Sequence, residues 1–101
     1  MQITHCYYVG HYEGNVKLLI FFVSDVERKY VKTAKEQAGD KYRIYDFEVR
    51  AYYDTKKDKL QCTFVYVLSA ENVIQFDYKF KRVQKQEIHA RVLKELKKVR
   101  I

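Results

Sequence analysis

The sequence predicts a single α+β domain spanning residues 1–101. It has a five-stranded, mostly antiparallel sheet in the order β-β-α-β-β-β-α and an amphipathic basic C-terminal helix packed on that sheet. Three observations carry this reading. Alternating apolar and polar residues, the period of a half-buried strand, recur along the chain. Two segments instead repeat their apolar residues at three- and four-residue spacing, the period of a helix. Proline is absent and there are only three glycines, so no linker composition marks a second domain.

The elements follow in order. Residues 2 to 12 read as a strand rich in Tyr and Val, closed by Glu13-Gly14-Asn15, where Gly and Asn tolerate the positive φ of a tight hairpin. Val16 to Val23 is apolar on both faces, with Leu18, Ile20 and Phe22 alternating with Leu19, Phe21 and Val23. That pattern predicts a central strand buried on both sides or nearly so. Ser24-Asp25-Val26-Glu27 matches a capping box, and Val26, Tyr30, Ala34 and Ala38 form one helical stripe ending at Gly39. A helix is expected over about 25 to 38.

Three strands come next. Lys41 to Tyr53 places Tyr45, Phe47, Val49, Ala51 and Tyr53 on one face and Tyr42, Ile44, Asp46, Glu48, Arg50 and Tyr52 on the other. Leu60 to Leu68 and Val73 to Val83 alternate in the same way, the first after a charged loop and the second after Ser69 to Asn72. The last helix, about 84 to 99, buries Ile88, Val92, Leu96 and Val99 and exposes Lys85, Arg91, Lys94 and Lys98.

Composition narrows the function classes. The 48% hydrophobic content is that of a globular chain, and 101 residues suffice for a core. Cys6 and Cys62 are too few for a disulfide scaffold. Both fall in strand-like stretches and so can be neighbours, and they read as buried thiols in a reducing compartment. No leader pattern opens the chain, and the longest apolar run, Leu18 to Val23, is far short of a membrane span; a cytoplasmic protein is expected. Residues 81 to 101 carry eight basic groups against Glu87 and Glu95, so most of the net charge of +7 belongs to the last helix. Such asymmetry suits an anionic partner, and equally suits a solvated cationic face.

Four groups of residues are candidates for chemistry. A row of cations on one helix face matches a phosphate backbone, because each neutralised phosphate releases condensed counterions. The residues are Arg82, Lys85, Arg91, Lys94, Lys97 and Lys98, with Arg28, Lys32 and Lys35 of the first helix as a second basic row. Ten tyrosines offer stacking platforms for unpaired bases, and Tyr42 and Tyr52 fall beside Arg50 on one strand face. Strand propensity explains most tyrosines without a ligand. Asp46, Glu48, Asp77 and Lys79 supply acids beside a lysine. Their order loosely resembles the arrangement in restriction-endonuclease-like enzymes, which implies a small metal-dependent nuclease. Cross-strand ion pairs account for the same residues. His5, Cys6, His11 and His89 form no metal-binding spacing: His5 and His11 lie about 20 Å apart on an unbroken strand.

The expected function is therefore a non-enzymatic binding protein with no cofactor and no metal, and nucleic acid is the expected ligand. The runner-up is a protein–protein module, accessory or inhibitory and of the kind a phage or mobile element encodes, that grips an acidic partner. Self-association as a homodimer, through a sheet edge or the last helix, belongs to that second reading.

Overall fold

The computed structural model describes residues 1–98. Five strands form one sheet in sequence order: β1 (Gln2–Glu13), β2 (Val16–Ser24), β3 (Phe47–Asp54), β4 (Lys59–Ser69) and β5 (Asn72–Phe76). All four pairings are antiparallel. Helix α1 (Arg28–Ala38) joins β2 to β3, and α2 (Arg82–Lys98) follows β5. The expected α+β class and element order both hold.

Both helices lie on one face of the sheet. The register aligns Phe21, Val49, Phe64 and Phe76 across β2 to β5, so these side chains share a face. The Tyr30 ring of α1 packs edge-on against Phe64 at 5.2 Å and Phe76 at 5.0 Å. The Arg91 guanidinium of α2 sits 5.3 Å from the centre of the Phe21 ring. Leu19, Phe47 and Tyr66 fill the layer between, together with Ala34, Ile88 and Val92 of the helices. Each such apolar side chain contributes roughly 1.5–3 kcal/mol by leaving water.

Several boundaries differ from the sequence expectation. No capping box forms at α1: Ser24 is still paired with Gln2 at the end of β2, and Asp25 turns the chain out of the sheet at φ +52°. The helix therefore starts at Arg28, with Glu27 as an N-cap that makes no side-chain bond. Gly39 caps the other end at φ +58°, donating its N–H to the Lys35 carbonyl, as its lack of a Cβ permits. Two 3-10 turns, Gly39–Lys41 and Ile44–Asp46, replace the expected start of β3. They are pinned by the Arg43 N–H, which donates to the buried Tyr66 hydroxyl at 2.8 Å. Tyr45 is exposed as a result.

β5 stops at Phe76, not Val83. Tyr78 and Phe80 keep their place over the core but leave the ladder, with the Tyr78 ring 5.4 Å from Phe64 and 4.8 Å from Phe80. α2 then begins at Arg82, where the Gln84 side chain accepts from the Lys81 N–H at 2.8 Å and donates to the Tyr78 hydroxyl. Gln84 thus supplies half of a capping box. Val99, assigned to this helix from the sequence, lies outside the described residues.

One further expectation is corrected. Cys6 on β1 and Cys62 on β4 are not neighbours: two strands separate them, about 14 Å at the usual strand spacing, and both thiols are free. β2 is an interior strand with no exposed residue, as expected of a strand buried on both sides or nearly so, although the helices cover one face only. Leu18 and Phe22, partly buried, and Ile20, buried, project to the face that carries no helix. Among the described residues, no helix is long and apolar enough to cross a membrane.

Candidate nucleic-acid interface

The sequence concentrates its charge in the helices, and the fold puts both helices on one side. Together α1 and α2 hold ten basic and three acidic residues, while the rest of the chain holds ten of each. The whole excess of +7 therefore resides in the helix layer. Arg28, Lys29, Lys32 and Lys35 of α1 are exposed, as are Arg82, Lys85, Lys94, Lys97 and Lys98 of α2. Helical spacing sets this outcome, because each helix turns its apolar stripe to the sheet and leaves its cations to water. Lys98 is partly neutralised by Glu95 at 3.5 Å.

Arg91 is different. Its guanidinium donates to the backbone carbonyls of Ile3 and Thr4 on the edge strand β1 and lies over the Phe21 ring. Two of its donors bond the backbone of β1, so it positions α2 and blunts a sheet edge.

Arg82 and Lys85 open onto a cavity of about 730 Å³ between the first turns of α2 and the start of β4. Lys79, His89 and Asp58 also line it, over a floor that includes Leu60, Cys62 and Phe80. The β4 segment Lys59–Thr63 pairs only with β3, because β5 reaches no further than Phe64. Asp58 is the only acid in the wall, and it is already engaged: it accepts from the Tyr53 hydroxyl and lies 3.0 Å from His89 Nε2. Those two contacts hold its carboxyl below the usual range. The same Asp58 bond, with burial second, pushes Tyr53 up to about 12. Burial pushes the Cys62 thiol up to about 11, so it is protonated at neutral pH despite the nearby Lys85.

The tyrosines divide between the two faces. Tyr42 precedes β3 and does not share a face with Arg50 and Tyr52. Its ring stacks on Tyr66 at 5.8 Å with planes 7° apart, and the Lys35 ammonium sits 5.3 Å away. Arg50 and Tyr52 project to the helix-free face, opposite the α2 cations. There Arg50 pairs with Glu48 at 3.4 Å, and Tyr52 meets Tyr12 edge-on at 4.9 Å. Tyr7 and Phe22 also pack together on this face, while Tyr8 turns into the core. Bulges in β1 break its simple alternation.

The carboxylates are dispersed. Asp46 pairs with Arg43 in a 3-10 turn, Glu48 is on β3, and Asp77 lies past the end of β5. Among the described residues, no three His, Cys, Asp or Glu side chains gather as metal ligands. Comparison with protein-family models, with curated proteins and with solved structures finds no match to this chain.

Proposed function

We propose that the chain is a non-enzymatic nucleic-acid-binding protein that docks the phosphate backbone on its helix layer. The observation that carries this reading is the partition of charge: the entire net excess belongs to two helices on one face. Lys94 and Lys97, with Lys98, would follow the backbone at one end of α2, and Arg82 and Lys85 at the other. The cations of α1 extend the row. Arg91 positions α2, and Arg50 and Tyr52 belong to the opposite surface. Contacts of this kind are blind to sequence.

Fluorescence anisotropy with single- and double-stranded oligonucleotides across a salt series tests the proposal. Five phosphate contacts predict a log–log salt slope of about −4 to −5 on duplex DNA. Reversing Lys94, Lys97 and Lys98 to Glu should weaken binding and flatten the slope. Absence of binding at low salt would sink the reading. The second reading, a module that grips an acidic protein, uses the same cations. An acidic polypeptide that outcompetes both oligonucleotides would favour it.

A further inference from the structure

We infer that the helix-free face of the sheet is the seam of a homodimer, formed by two copies of this chain packed face to face. The inference is independent of the nucleic-acid reading, since the two use opposite surfaces.

Among the described residues no helix covers this face, and it carries apolar side chains among polar ones such as Gln61, Thr63 and Gln75. Leu18, Ile20 and Phe22 of β2 and Val65 and Val67 of β4 project onto it, and Tyr7 adds an exposed ring. Ile20 and Val65 are 9% and 2% exposed, yet neither belongs to the cluster under the helices. The chain thus has a second apolar layer with no helix above it among the described residues, closed over by neighbouring side chains at Ile20 and Val65 and partly open at Leu18, Phe22 and Val67. On α2, Ile88 and Val92 are fully buried against the sheet, while Val83 and Leu93 are exposed among its cations.

Charge identifies the occupant. A second copy repels this one wherever the helix layers approach, since those layers hold the whole excess of +7. The sheet face holds balanced charges: Glu48 and Arg50 on β3, the middle strand, and Asp54 paired in register with Lys59 toward one end. Across a two-fold axis near β3, the Arg50 of each copy meets the Glu48 of the other, and each guanidinium keeps its own carboxylate. Such a surface complements itself. The area also fits. Five strands about 4.8 Å apart and some eight residues long project roughly 600 Å². With side-chain relief this approaches the ~800 Å² that each partner of a stable complex buries. Aligned sheet-on-sheet packing at about 10 Å is the geometry expected.

Light scattering coupled to size exclusion reads the result. The wild-type chain should elute at twice its 12.3 kDa mass. Glu48→Arg and Arg50→Glu should each weaken the dimer at least about tenfold, because like charges then meet at the centre. Mixing the two variants should restore a dimer of one copy of each. A monomeric wild type, or variants that remain self-paired, would overturn the inference. Methyl NMR on the wild type gives a second readout that needs no substitution. On dilution, the Ile20 and Val65 methyls should shift and those of Ile88 and Val92 should not; the reverse pattern would also overturn it.

Discussion

Arg91 is a structural cation among those proposed to meet a ligand, and its removal gives the sharpest quantitative expectation. The guanidinium makes two bonds to β1 carbonyls and one contact with the Phe21 ring. A hydrogen bond to a charged group contributes about 1.5–3 kcal/mol when well made, but the Ile3 bond is long, at 3.4 Å, and the Thr4 carbonyl is near solvent. The ring contact adds about 0.5–1 kcal/mol. Together they set the loss in Arg91→Ala at about 2 kcal/mol, or a fall of roughly 8–16 °C in Tm for a domain of this size. Arg91→Lys should recover less than half, because an ammonium cannot fork between two carbonyls. Thermal unfolding by circular dichroism measures this, with Lys97→Ala as the control that should leave Tm almost unchanged. Oligonucleotide affinity in Arg91→Ala, measured well below its Tm, should keep the wild-type salt slope. A Tm within about 2 °C of wild type, the ordinary range for a surface substitution, together with a flattened slope, would refute the structural assignment of Arg91.

The remaining expectations concern titration and reactivity. Tyr53 holds its proton more tightly folded than unfolded, so its contribution to stability is intact below about pH 10 and is lost as pH rises towards about 12. Asp58→Asn should return Tyr53 towards the ordinary phenol range. Ultraviolet phenolate titration checks this, and curves that superimpose on wild type would refute the Asp58 contact. Cys6 and Cys62 are both pushed up to about 11, with burial the main cause, so alkylation at mildly alkaline pH should be at least about a hundredfold slower in the folded than in the unfolded chain. Mass spectrometry of iodoacetamide-treated protein reads this directly; fast native labelling of either thiol would contradict it.

The fold was largely legible because period decides it. The alternation of Phe47, Val49, Ala51 and Tyr53 against Glu48, Arg50 and Tyr52 specifies one face for each, and the register keeps them there. What stayed hidden were departures from ideal period. Tyr42 reads as in phase with Arg50 and Tyr52, but the two 3-10 turns before Phe47 break the count, and the bond from the Arg43 N–H to Tyr66 that pins them joins residues 23 apart in sequence. Tyr78 and Phe80 alternate as a strand would, yet the chain swings over the core after Phe76. A local pattern reports which side a residue faces, not whether a ladder partner is present. The role of Arg91 depends on the Ile3 and Thr4 carbonyls at the other end of the chain, which helical spacing does not encode.

β2 is apolar on both faces, yet the helices cover only one of them. A strand apolar on both faces usually lies between two covering layers. Here the second layer is missing from the chain, while the cations sit on the first. An open apolar face on a chain of charge +7 is stable to wrong associations only if its approach is selective. On the proposed reading, nucleic acid docks on the cationic helices, and a second copy, repelled there, meets the balanced charges of the sheet face instead. The two proposed partners thus use opposite faces. In a dimer joined through the sheets, the helix layers point outward on opposite sides. Two separate polyanion segments then become accessible to one assembly, an arrangement that raises avidity without adding a single contact.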